Sequence, residues 1–109
     1  MPEVFQRTSL AVTSTEQDAY VCPTSTTAVV LSCLVANVDG TNSDDITAKV
    51  TNSSNTEQSR IASTITVPAD ASLELIPNKL VLEANEKLRL TGAAASGRLS
   101  ATVSILEIS

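Results

Sequence analysis

The residues of this chain that could act on a ligand are few, and most are acids. Asp39-Gly40-Thr41-Asn42-Ser43-Asp44-Asp45 concentrates oxygen donors of the kind that hold calcium. It lacks the ligand spacing and terminal bidentate glutamate of an EF-hand loop, so a solvated hairpin tip is the plainer reading. Glu74, Glu83 and Glu86 could offer a pair of carboxyl groups. Glycoside cleavage needs two of them set across a substrate cleft. Here each sits at a turn beside a short strand, where it keeps the surface soluble. Serines are abundant, but no G-x-S-x-G elbow is present, and a chain without histidine has no imidazole base. The same lack removes a Cys/His zinc site and a Cys–His nucleophile pair. With only Gly40, Gly92 and Gly97, no glycine-rich loop can cradle a phosphate. The expectation is a protein that is not an enzyme, with no catalytic residue, no metal and no cofactor.

The two cysteines do not make a disulfide scaffold. Cys33 lies in the run Val29-Val30-Leu31-Ser32-Cys33-Leu34-Val35 and reads as a small buried hydrophobe. A Cys22–Cys33 bridge stays open, since it requires the two strands to lie side by side.

The elements that carry these residues follow from hydrophobic period. Residues 46–51 alternate cleanly, with Ile46, Ala48 and Val50 inward. Residues 60–67 alternate again, with Ile61, Ile65 and Val67 on one face. In the last run, Leu99, Ala101, Val103 and Ile105 share a face, and Leu106 and Ile108 fall on the other. Residues 26–38 are apolar on both faces, which predicts a strand buried on both sides. Shorter strands are expected over residues 19–22, 72–77, 80–82 and 87–91, and residues 92–97 form the last loop. Pro23, Asp39-Gly40, residues 52–57, Pro68 and Ala84-Asn85-Glu86 supply the breaks. About eight strands separated by short polar turns predict an all-β fold: an antiparallel β-sandwich, jelly-roll-like, with an extended N-terminal arm.

The chain of 109 residues fits one domain. Two parts are expected: residues 1–18 as an arm or first strand, and residues 19–109 as the sandwich. An extended arm of that length reaches about 60 Å, enough to cross onto a neighbour. An ordinary edge strand is the alternative. The core must come from Leu, Val, Ile and Ala, because Phe5 and Tyr20 are the only aromatics. The same scarcity removes the stacking surface on which carbohydrate-binding sandwiches rely.

The net charge is −5, and the seven basic residues are scattered: Arg7, Lys49, Arg60, Lys79, Lys87, Arg89 and Arg98. No basic stripe interleaved with aromatics is present, so no nucleic acid is expected as partner. No apolar run is long enough to span a membrane. The N-terminus lacks the layout of a signal peptide, so synthesis without a leader is expected. A surface that binds other proteins is the function class left standing.

Several segments then resemble a known family. They are Tyr20-Val21-Cys22-Pro23 with Thr27-Ala28-Val29-Val30, Val35-Ala36-Asn37, Val67-Pro68-Ala69-Asp70-Ala71-Ser72-Leu73, Lys79-Leu80-Val81-Leu82-Glu83 with Leu88, and Ser104-Ile105-Leu106-Glu107-Ile108. In this order the chain from Tyr20 onward resembles a group of small tailed-bacteriophage virion structural proteins, found in phages of cyanobacteria and other aquatic bacteria. The resemblance implies a virion component made in the host cytoplasm. As first choice it implies a decoration (cement) protein on the capsid surface, with the major capsid protein as partner and a dimer or trimer as its own state. A neck, tail or fibre-associated subunit binding other virion proteins is the alternative, followed by a non-phage binding module. The turn Glu83-Ala84-Asn85-Glu86 departs from the pattern, which would place a glycine there. Phe5, Leu10 and Val12 are the expected anchors of the arm, and Leu106 and Ile108 the apolar residues shared with a partner.

Overall fold

Alternating aliphatic residues give nine strands among the residues described by the computed structural model, which are 3–76, 79–93 and 98–108. They are β1 (Glu3–Val12), β2 (Gln17–Val21), β3 (Thr27–Asn37), β4 (Asp44–Thr51), β5 (Glu57–Val67), β6 (Ser72–Glu74), β7 (Leu80–Leu82), β8 (Lys87–Gly92) and β9 (Leu99–Ile108). Pro77, Asn78 and most of the expected 92–97 loop lie outside the described residues.

The strands form two antiparallel sheets. The first runs β1-β9-β3-β6, with β7 also on β3, and the second runs β2-β8-β4-β5. β6 pairs with Leu34–Ala36 and β7 with Ala28–Val30, on the same side of β3. Together they fill one strand position, so nine strands occupy eight places. The chain crosses between the two sheets at every step except β4 to β5 and β6 to β7, which gives the double Greek-key order of a jelly roll.

The core sits between the sheets and is aliphatic. Val30, Cys33, Val35, Leu82, Ala101, Val103 and Ile105 from the first sheet meet Ile46, Ala48, Val67, Leu88 and Leu90 from the second, all but fully buried. Each large member stabilises the fold by roughly 1.5–3 kcal/mol. The inward assignments made for β4 and for β9 from Leu99 to Ile105 hold.

Two inward assignments do not hold, and both fail at bulges. Burial of β3 on both faces is the expectation from its sequence, since strict alternation sets Val29, Leu31, Cys33 and Val35 on one face and Val30, Leu34 and Ala36 on the other. A register shift between Val30 and Ser32 switches the phase. Ala28 and Val30 point inward before it, and Cys33, Val35 and Asn37 after it, while Leu34 stays exposed on the outside. One extra residue moves the apolar set from one face to the other, which on paper looks like two apolar faces. In β5 the inward residues are Ala62 and Val67, and Ile65 is exposed. Ile46 pairs with Ile65, but Ala48 pairs with Ala62, so Ser63 and Thr64 together stand opposite the single residue Thr47, one residue in excess. Thr64 takes a left-handed φ of 45° to accommodate it.

β1 lies along β9 in ten consecutive pairs with no shift. Its far end enters the core through Val12. The facing edge of the second sheet is β2, only five residues long. Glu3 to Arg7 are therefore exposed although their backbone is paired. Residue 18 falls inside β2.

Candidate interaction surface

The acids singled out in the sequence serve the loops that hold them. Asp39 Oδ1 accepts the backbone N–H of Thr41 at 2.8 Å and of Asn42 at 3.1 Å, and Arg98 Nε lies 3.5 Å from Oδ2. These contacts, the N–H groups first, hold its carboxyl below the usual range. Asp44 is buried, and its Oδ1 accepts the N–H of Asp45 at 2.9 Å and of Ala93 at 3.1 Å. Glu74 Oε2 accepts from Cys33 N at 2.8 Å and from Ile76 N at 3.0 Å, covering β3 where β6 ends and β7 has not begun. Glu86 Oε1 accepts the Glu83 N–H at 2.8 Å and closes the turn between β7 and β8. Cys22 and Cys33 are both free thiols with no exposed surface. No surface pocket is found among the described residues.

Unassigned chemistry is therefore confined to the outer faces. On the second sheet the outer face is charged. Asp18 pairs with Arg89, Arg89 with Lys49 and Lys49 with Arg60, one row across β2, β8, β4 and β5. Three cations that are scattered in the sequence are thus neighbours in space. Acids hold them: Arg89 Nε to Asp18 at 2.9 Å, Lys49 to Glu16 at 3.1 Å, and Arg60 to Glu57 at 2.9 Å. The cations of the row are neutralised within the chain.

The first sheet differs. Phe5 pairs with Leu106, Leu106 with Val29 and Val29 with Val81. These four side chains form one apolar row across β1, β9, β3 and β7, on the face away from the core. Phe5 is 75% exposed and Val81 56%, while Leu106 and Val29 between them are half-buried. Ile108, half-buried, extends the row along β9 on the same side. Exposed apolar side chains grouped on one face of a sheet in this way mark binding surfaces.

Of the five residues expected to meet a partner, Phe5, Leu106 and Ile108 come together here. Leu10 and Val12 lie on the opposite side of β1. Leu10 packs against the core, and Val12 is 1% exposed within it. Val29 and Val81 belong to the row but were not singled out. Val29 was hidden by the β3 bulge, which places it opposite in phase to Cys33. Val81 sits in a strand of three residues, too short to reveal a face.

Comparison with known proteins bears on the fold. No protein-family model matches the chain, and no curated protein does. Among solved structures, a chain of the disulfide-linked pili of Bacillus endospore appendages is similar, with TM-score 0.59, 12% identity, and coverage of 99% of this chain and 87% of that one. A chain of the acidic stable capsid of Helicobacter pylori bacteriophage KHP30 gives TM-score 0.57 at 9% identity, covering 98% of this chain and 93% of that one. A chain of infectious bursal disease virus, Gx strain, gives TM-score 0.53 at 10% identity, covering 96% of this chain and 32% of that one. At such identities what is shared is the fold: the all-β, two-sheet architecture recurs in capsid and pilus chains.

Proposed function

We propose that this chain is a virion structural protein, and more narrowly a decoration protein that binds the major capsid protein of a tailed phage and stabilises the head. The observation that carries the reading is the apolar row Phe5–Leu106–Val29–Val81 on the outer face of one jelly-roll sheet, while the charged row on the other sheet is neutralised within the chain. A flat face of this kind suits repeated docking against copies of one partner. Cementing asks little of each contact, because many modest interfaces repeated on a lattice sum to a strong attachment. The resemblance of the chain from Tyr20 onward to small phage virion proteins supports the reading, as does the likeness in fold to a phage capsid chain. Fold alone does not carry function, and jelly rolls also serve lectins and cupins. Against those, the sheet presents Phe5 as its single aromatic, with no pocket among the described residues.

Densitometry of purified particles tests the proposal. A decoration protein is present in many copies, in proportion to the major capsid protein. A neck or tail subunit is present in few, and absence from the particle overturns the virion reading. The docking face is tested by F5S and V81S, at positions exposed enough that the fold is spared. Both variants should bind capsids more weakly than the parent chain.

A second reading is favoured by the pilus chain, which covers the whole domain equally well: a filament subunit outside any virus. Those pili are disulfide-linked, whereas here Cys22 and Cys33 have no exposed surface from which to link copies.

A further inference from the structure

The edge strands of the two sheets are not alike. β2 is short and carries a bulge between Asp18 and Tyr20. β5 has three register shifts, a left-handed residue at Thr64 and an internal ion pair. The third edge is broken into β6 and β7, of three residues each. Bulges, charges and short lengths are the usual means of keeping an edge from pairing. β1 has neither a bulge nor a short length: it is ten residues long and regular throughout, and its two charges, Glu3 and Arg7, are opposite in sign. Its outer backbone row is a template for another strand.

The sequence of that edge names its occupant. Glu3, Phe5 and Arg7 alternate on the outer face, with the two charges equally spaced about Phe5. Among the described residues neither Glu3 nor Arg7 has an ion pair or a side-chain hydrogen bond. If a second copy of β1 lies antiparallel to the first, with a two-fold axis at Phe5, residue 3 faces residue 7 of the other copy, twice over. Phe5 then faces Phe5, and Val4 faces Gln6. No other centre within residues 3–7 matches both opposite charges. The same operation joins the two apolar rows end to end, from Val81 of one copy through both phenylalanines to Val81 of the other. A closed two-fold contact of this kind is self-complementary by construction.

We propose that β1 pairs with β1 of a second copy, in the antiparallel register centred on Phe5 and held by two reciprocal Glu3–Arg7 pairs. The first sheets of two subunits then become one continuous sheet of eight strand positions, with Phe5 covered at its middle. Opposite charges placed directly across strands stabilise a sheet and like charges destabilise it. The contact is short, so dimer formation depends on protein concentration. It does not rest on the virion reading: a chain that binds capsids can fail to pair this way, and a chain that pairs can be absent from particles.

Sedimentation of the full chain at low salt over a range of concentrations tests it. The parent chain should form dimers. E3R and R7E should each weaken them by tenfold or more, since each variant sets like charges face to face. The double variant E3R/R7E should restore dimers, because exchanging the charges restores the pairing. In the proposed register the two Phe5 Cα atoms fall within reach of a disulfide. F5C should therefore oxidise to a covalent dimer, the native thiols being buried. A11C, on the same face but beyond the overlap, should stay monomeric. A monomer at every concentration overturns the proposal. So do a dimer indifferent to the single charge reversals, failure of the double variant to recover, or equal crosslinking by A11C, as for an edge taken by another protein or another register.

Discussion

The Tyr20 hydroxyl donates a hydrogen bond to the Glu107 carboxylate, tying β2 of one sheet to β9 of the other at the end of the sandwich. Gln6 Nε2 donates to the second oxygen of the same carboxylate at 3.1 Å. Glu107 thus gathers three strands, and the sole tyrosine joins one sheet to the other.

Burial first, and then the bond to Glu107, push the Tyr20 phenol above its ordinary range. A phenol raised in the folded state stabilises the fold fully below its unfolded pKa of about 10, and that stability drains away as pH rises further. With no tryptophan and no other tyrosine, ultraviolet absorbance reads Tyr20 directly. Tyrosinate should appear together with loss of sheet dichroism, never before it. Y20F should cost roughly 1–2 kcal/mol in denaturant melts at neutral pH. It should also flatten the alkaline loss of stability. A folded protein whose tyrosine titrates normally would contradict the bond.

Both thiols should resist alkylation for as long as the chain is folded. Cys33 is pushed up to about 12 by burial, and next by the negative charge of Glu74. Burial likewise raises Cys22, whose Sγ lies 3.2 Å from the Thr26 carbonyl. Thiolate is the reactive form, so both burial and the raised pKa protect these groups. A maleimide should label neither residue in buffer and both in denaturant. Rapid labelling of Cys33 in buffer would mean that β3 opens around its bulge.

Much of this architecture could be read from period alone, and the reason differs by strand. β4 and β9 are flat against the opposite sheet, so their alternation survives folding and Ile46, Val50, Val103 and Ile105 fall where spacing puts them. β3 and β5 each take up extra residues, which a period-two reading cannot register. The apolar row was half legible. Phe5, Leu106 and Ile108 stand out as apolar residues out of phase with a core face. Which strands lie beside β9 is a matter of topology, so Val29 and Val81 could join them only once the sheet order was known. The charged row could not be foreseen, because Asp18, Arg89, Lys49 and Arg60 are brought together by cross-strand register and by nothing local.

That row makes a prediction about salt. Glu16 serves two cations at once, with Oε2 3.1 Å from Lys49 and Oε1 3.9 Å from Arg89. Lys49 and Arg89 are cross-strand neighbours, so without Glu16 they repel. E16Q should lower stability by up to ~1 kcal/mol at low ionic strength. The deficit should shrink as salt screens the pair. Melting curves of the two proteins at low and high salt check it, and a deficit independent of salt would point to packing as its cause.

The turn between β7 and β8 shows how a chain with three glycines manages tight reversals. Asn85 adopts φ 70°, as Ser25, Asn55 and Asp70 also adopt left-handed values without being glycine. Asparagine tolerates this region better than other non-glycine residues, since its short polar side chain finds local partners. Here Asn85 Oδ1 accepts the Thr24 hydroxyl at 2.9 Å, and its backbone N–H donates to Cys22 O at 3.0 Å. The turn is thereby fastened to the end of β2. Alanine at this position has neither the tolerance nor the side-chain bond, so N85A should cost about 1–2 kcal/mol. Glycine regains the conformation and loses only an exposed hydrogen bond, so N85G should fall within about 0.5 kcal/mol of the parent. Denaturant melts of the pair separate backbone strain from the hydrogen bond. Equal losses in both variants would assign the effect to the Thr24 contact, and a loss confined to N85A assigns it to the left-handed backbone.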